Sequence, residues 1–153
     1  MNYQAIFNTP LGNLGIRCSD HSLLGIDFLP IDNSPDHSCS NFSARVREQL
    51  LEYFINPRFQ FNIPLELRGT AFQVKVWNSL RSIRCGDTWR YGELARQLNS
   101  GARAIGQACA SNPIPIIVPC HRVVSTNGIG GFMHHAKGNP LVIKQWLLAH
   151  EQC

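Results

Sequence analysis

Short apolar runs separated by turn residues open the chain, and helical spacing takes over further on. Tyr3 to Phe7, Leu14 to Cys18 and Leu23 to Phe28 are β-like runs, parted by Thr9-Pro10-Leu11-Gly12 and Ser19-Asp20-His21-Ser22. Such runs bounded by turn formers predict a small antiparallel meander. Residues 30–41 read as a polar loop with two prolines. From Phe42 the period changes. Phe42, Val46, Leu50 and Phe54 recur every four residues, which is one stripe of an amphipathic helix. Asn56-Pro57 stops that helix, and Phe59 to Leu67 reads as a last extended segment.

A second set of elements begins near Arg68-Gly69. Thr70 is an N-cap, and Phe72, Val76, Trp77 and Leu80 form the apolar side of a helix expected to end near Gly86. Tyr91 to Leu98 and Ala102 to Ala110 flank the turn Asn99-Ser100-Gly101, the layout of a helix-turn-helix. Asn139 to Glu151 is the last helix, with Leu141, Ile143, Trp146, Leu147 and Leu148 on its apolar side. The expected class is α+β in two units, residues 1–67 and 68–153. No internal repeat or low-complexity segment is present.

Charge sharpens this division. The 153 residues carry a net charge of +4 with only 16% charged residues, too few for a disordered chain or a coiled coil. Residues 1–66 hold four arginines against seven carboxylates, a net of −3; residues 67–153 hold ten basic groups against three acids, a net of +7. The second unit is therefore the one suited to a polyanion. Met1 to Phe7 has no basic, apolar leader pattern, and the apolar run Ile114 to Val118 is broken by Pro115 and bounded by Pro113 and Pro119, so neither export nor a membrane span is expected. Six cysteines at 18, 39, 85, 109, 120 and 153 form no dense disulfide framework; reduced thiols in a cytoplasmic protein are the expectation. Cys18 with His21, and His37 with Cys39, are soft donors but lack paired zinc-ribbon spacing. A buried Cys18 and solvated histidines are the simpler reading, and no metal is expected.

The chemistry concentrates in Ser111 to Val124. Pro113, Pro115 and Pro119 are expected to fix an extended, hydrogen-bond-poor path that presents Cys120 rigidly. A thiol reacts as its thiolate, whose reference pKa is about 8.5, so it needs a base or a cation nearby. His121 is the candidate base, and Arg122 adds positive charge. Consecutive residues of a strand face opposite ways, so Cys120 and His121 cooperate only across a backbone bend or through a water. Glu151 is the acid placed to orient His121. Taken residue by residue, a buried Cys120 and a satisfied core His121 remain the competing reading.

The surrounding string decides otherwise. Asn112-Pro113-x-Pro115-Ile116-x-x-Pro119-Cys120-His121-Arg122-Val123-Val124, Gly130-Gly131-Phe132 and Lys144-x-Trp146-Leu147-Leu148-x-x-Glu151 resemble the O6-alkylguanine-DNA alkyltransferases. Phe72-Gln73-x-x-Val76-Trp77, Tyr91 and Ala102-Arg103-Ala104-Ile105-Gly106 extend the likeness over residues 70–151; the first unit matches in length and element order. The resemblance implies a ribonuclease-H-like sheet-and-helix unit followed by a winged helix-turn-helix unit. It implies transfer of an alkyl group, once, from O6-alkylguanine in duplex DNA to Cys120, without cofactor, by a monomer, with O4-alkylthymine as a further candidate substrate.

The roles it implies are specific. Cys120 is the acceptor, His121 the base acting through a water, Glu151 its orienting acid, and Asn112 the brace of the active-site turn. Arg103 fills the space left by the flipped nucleotide, with Ala102 and Gly106 on the same thin helix. Tyr91 turns the 3′ phosphate and donates to the base. Val123, Phe132 and Pro115 line the guanine and alkyl pocket. Met133 to Ile143, before Lys144, is longer than the family pattern by about five residues, with His134-His135 in place of glycines. Three alternatives stand beside this reading: a binding protein that recognises alkylguanine without chemistry, a Cys-His-Glu hydrolase, and a winged-helix regulator. The first lacks the acceptor cysteine; the second turns over; the third needs a recognition helix richer in base-reading side chains.

Overall fold

A computed structural model describes residues 2–30, 36–126, 128, 130 and 140–152. Strands β1 (Ala5–Thr9), β2 (Gly12–Cys18) and β3 (Leu23–Leu29) form the expected meander, joined by β4 (His37–Ser38) in the order β3-β2-β1-β4 with every pairing antiparallel. β4 lies where the sequence reads as loop. Both of its residues are exposed, so main-chain pairing with Ala5 and Ile6 holds it and no apolar pattern announces it. On the outer face, the Tyr3 ring lies over Gly15 and the Arg17 guanidinium over Gly25, where a Cβ would come within 2.7 and 2.1 Å of them. Asp27 joins the two, accepting from the Tyr3 hydroxyl at 2.8 Å and from Arg17 at 3.2 Å.

Helix α1 (Asn41–Ile55) packs against β1 and β2. Ser40 caps it reciprocally with Ser43, and it stops before Pro57 as expected. Its buried side is Ser43, Val46, Leu50 and Tyr53, while Phe42 and Phe54 are only half-buried. The stripe follows a 3.6-residue period and not a strict four, which turns Tyr53 inward. The segment after α1 joins the other edge of the sheet at one point: Leu23 and Leu65 form a parallel bridge, with the Leu23 N–H donating to Pro64 O at 2.9 Å.

The second unit begins at α2 (Ala71–Leu80), capped by Thr70 and Gln73. The helix ends at Leu80, well short of Gly86. The chain then runs through successive turns to Gly86, whose φ of +90° suits glycine. β5 (Trp89–Arg90) pairs in parallel with β6 (Val123–Val124). α3 (Tyr91–Gln97) and α4 (Ala102–Ala110) form the helix-turn-helix, with Asn99 at φ +57° in its turn. The Trp77 indole N–H donates to Ala108 O at 2.8 Å, which fixes α2 against α4. α5 (Pro140–His150) closes the chain.

One apolar core runs through both units, from Phe7, Ile16 and Leu50 to Trp77, Ile105, Val118 and Leu147. The Ile26 N–H donates to Pro113 O at 3.0 Å, so β3 supports the loop that precedes Cys120. Among the described residues no helix is long and apolar enough to cross a membrane.

Candidate active site

The prolines do not hold an extended path. Residues 113–118 fold into a compact turn, in which the Val118 N–H donates to Ile114 O at 3.0 Å and the Ile117 N–H to Pro115 O at 2.9 Å. Ile116 is carried to φ +74° at 2% exposure. A left-handed β-branched residue costs about 1–2 kcal/mol, so the packing around this turn holds it in place. Asn112 ties the turn from inside: its Nδ2 donates to Val118 O at 2.7 Å and its Oδ1 accepts the Ile114 N–H at 2.9 Å.

Cys120, His121 and Arg122 then form a single 3-10 turn. This is the bend that adjacent Cys and His side chains require. His121 is fully buried and its Nε2 lies 2.8 Å from Glu151 Oε2, while Nδ1 has no hydrogen-bond partner among the described residues. Arg122 does not serve the thiol directly. Its Nε and Nη2 donate to the two Glu151 oxygens at 2.9 Å each, and its Nη1 donates to Ile83 O at 2.7 Å. The planar fork matches the carboxylate edge, and it fixes the plane in which Glu151 meets His121.

The electrostatics follow from burial. Desolvation pushes the Cys120 thiol up to about 11, against the opposing pull of the Asn112 side chain and of Lys144. Desolvation also lowers His121 below its ordinary value despite the Glu151 carboxylate, so the imidazole is neutral at pH 7. Burial alone would raise Glu151, but its hydrogen bonds from His121, Arg122 and Tyr53 hold it well below the usual carboxylate range. The thiol and the base are therefore neutral and the acid ionised.

A cavity of about 600 Å³ opens beside Cys120. Tyr91, Ala102, Arg103 and Gly106 line it, and so do Cys109 and Thr126, which the sequence did not single out. Arg103, Ala102 and Ala104 are exposed at the start of α4, whereas Ala108 and Ala110 are buried against the core. The small-residue helix thus serves packing on one side and leaves a low rim on the other. Val123 and Pro115 are buried and do not line this cavity; Phe132 and the His134-His135 stretch lie outside the described residues.

Lys144 is the residue that motif reading left without a role. It is fully buried, donates from Nζ to Val123 O at 2.7 Å and to the Tyr91 hydroxyl at 3.4 Å, and sits 5.6 Å from the Tyr91 ring centroid. A lysine among the apolar residues of a last helix was the available signal. Cys18 is buried while His21, His37 and Cys39 are exposed, and among the described residues no group of three or more His, Cys, Asp or Glu side chains is placed to hold a metal.

The profile of the 6-O-methylguanine DNA methyltransferase ribonuclease-like domain matches residues 2–67, and that of the DNA-binding domain of the same proteins matches residues 71–153. This chain belongs to the 6-O-methylguanine DNA methyltransferase family. A methylated-DNA–protein-cysteine methyltransferase of Methanosarcina acetivorans is 37% identical over 156 residues, covering 97% of each chain. The constitutive one of Bacillus subtilis is 34% identical over 163 residues, covering 99% of this chain and 96% of its own. Among solved structures, the O6-methylguanine methyltransferase of Mycobacterium tuberculosis superimposes with a TM-score of 0.80 at 33% identity, covering 96% of this chain and 90% of that one. A second structure from that organism, in complex with DNA, gives 0.79 at 35% identity over 96% and 91%. Family membership thus rests on both units, the sheet as well as the helix-turn-helix.

Proposed function

We propose that this chain repairs DNA by direct reversal, moving the alkyl group of O6-alkylguanine to Cys120 once per molecule. The observation that carries this is the 3-10 turn that sets Cys120 at the wall of a cavity of about 600 Å³ and the next residue, His121, against Glu151. The family's relatives named as methylated-DNA–protein-cysteine methyltransferases supply the reaction class.

The steps balance on the residues present. The O6 alkyl carbon lies on the pairing edge of guanine, so in-line attack requires the nucleotide to leave the stack. Arg103, exposed at the head of α4 and at the cavity rim, fills the gap in the duplex; Ala102 and Gly106 allow the helix to approach closely. Gly101 offers no side-chain cap, so the first N–H groups of α4 are available to phosphate oxygens. His121 takes the Cys120 proton through a water at Nδ1, and Glu151, held in place by Arg122, stabilises the resulting imidazolium. The thiolate sulfur forms a bond to the alkyl carbon as the carbon–O6 bond breaks. Tyr91, kept protonated by burial that lifts its hydroxyl to about 12, donates a hydrogen bond to the leaving guanine, and the proton that His121 took from Cys120 reaches the guanine anion through solvent. The product thioether has no leaving group, so the protein is consumed.

Asn112 braces the turn from inside, Val123 and Pro115 lie buried outside the cavity, and Phe132, by its place after Gly130-Gly131 in the sequence, is the candidate for the guanine and alkyl pocket. DNA is bound through the basic second unit by a monomer, since one acceptor serves one lesion. Reduced Cys18, Cys39, Cys85, Cys109 and Cys120 fit a cytoplasmic location. The test is stoichiometry: duplex DNA with isotope-labelled O6-methylguanine is mixed with excess and with limiting protein, and the label is mapped. One label per chain on Cys120, lost in Cys120→Ser, is expected. Repeated turnover, or transfer that survives Cys120→Ser, overturns the proposal.

A further inference from the structure

The acid of the site is held from both units. Tyr53, on the last turn of α1, donates its hydroxyl to Glu151 Oε2 at 2.6 Å across 98 positions of sequence. Its ring is 1% exposed and is fixed on two sides, by Phe61 at 5.8 Å and edge-on by His150 at 5.2 Å. The α1 end is tied a second time, because His150 Nε2 lies 2.8 Å from Tyr53 O, one of the carbonyls a helix leaves without an internal partner. Among the described residues, Glu151 Oε2 therefore receives three donors, from Tyr53, His121 and Arg122, while Oε1 receives Arg122 alone.

We propose that Tyr53 is a positioning residue of the alkyl-transfer relay, through which the N-terminal unit sets the orientation and basicity of His121 by way of Glu151. Burial and the Glu151 carboxylate both raise the Tyr53 hydroxyl, so the bond is a neutral O–H donating to an anion. Each donor on Oε2 withdraws part of the charge that Glu151 otherwise directs at the imidazole. Removing one leaves the carboxylate a stronger acceptor for the His121 proton. The charged and titratable groups around this site are Lys144 and His150 from α5, Glu151 just after it, Arg122 from the 3-10 turn, and Cys85 from the loop after α2. The Tyr53 hydroxyl can be deleted without altering a charge or a residue next to the thiol.

This rests on His121 being the base, so the experiment reads both. Alkylation of Cys120 by iodoacetamide is followed against pH by mass spectrometry in the wild type, Tyr53→Phe and His121→Gln, with duplex affinity measured in parallel. The wild-type rate should show a limb below the ordinary histidine value as His121 loses its proton, set apart from the later rise as Cys120 itself ionises, and His121→Gln should lack that lower limb. Tyr53→Phe should keep duplex affinity and move the limb upward by about half a pH unit with a lower plateau. Replacement of Tyr53 by 3-fluorotyrosine, whose stronger donor keeps the ring in place, should move it downward. A limb that survives His121→Gln overturns the base assignment. A limb present in wild type, absent in His121→Gln and unmoved by both changes at position 53 overturns the role of Tyr53.

Discussion

The ammonium of Lys144 and the carbonyl oxygen of Val123 stand 2.7 Å apart, entirely shielded from water. This bond binds α5 to the first residue of β6, and it places a cation within the electrostatic reach of the Cys120 thiol. Desolvation lowers the lysine to about 8, against the stabilising pull of Cys120 and Cys109. The charge is kept where it disfavours itself and favours a thiolate.

Lys144→Met should therefore slow alkyl transfer by about tenfold, since the thiolate loses a cation that favours it. Stability should change by no more than about 1 kcal/mol, because relief of a buried charge offsets the orphaned Val123 carbonyl. Single-turnover transfer rates beside urea midpoints separate the two effects.

Asn112→Ala should act the other way, on structure as much as on chemistry. It deletes two buried hydrogen bonds, to Val118 O and from the Ile114 N–H, and frees a turn that already strains Ile116. A loss of about 2–4 kcal/mol in chemical denaturation is expected. The Cys120 thiol also loses the side-chain bond that pulls it down, so alkylation by iodoacetamide at fixed pH should slow.

Arg103→Ala should separate base extrusion from chemistry. Arg103 is exposed at the cavity rim, away from Cys120's own hydrogen bonds. Transfer from a lesion in duplex DNA should fall by about tenfold or more, while reaction with the free base O6-benzylguanine stays near wild type. Equal losses on both substrates would place Arg103 in the chemical step.

Acid should destabilise the fold from close to neutrality. His121 is held neutral below its ordinary value of about 6.5, so the unfolded chain binds a proton there that the folded chain refuses. Its contribution is complete above that pH and is lost as pH falls. Glu151, depressed by its partners, adds a second loss below the ordinary carboxylate value. Thermal midpoints should decline as pH falls below about 6.5. In His121→Gln the decline should begin only near the carboxylate range.

Period and punctuation made much of the fold legible. Turn residues between short apolar runs gave β1 to β3, Asn56-Pro57 ended α1, and Thr70 with Gln73 opened α2. Two errors share a cause. β4 has no apolar alternation because it is a two-residue exposed edge, and α2 ends at Leu80 because Ile83 is buried from a turn and not from a helix. Local pattern cannot distinguish residues that reach the core from different backbone paths.

The sequence by itself singled out Cys120 as the candidate acceptor, since Pro-Cys-His-Arg is contiguous, and determined which unit carries the positive charge. Only the tertiary structure decided how that residue is controlled. Arg122 faces Glu151 and not the thiol, Lys144 lies under Tyr91, and Tyr53 reaches Glu151 from the other end of the chain. These contacts join positions far apart in sequence, and buried charge must find its partners wherever the folded core brings them. Spacing along a chain records local geometry; it holds no record of which distant groups will share a carboxylate.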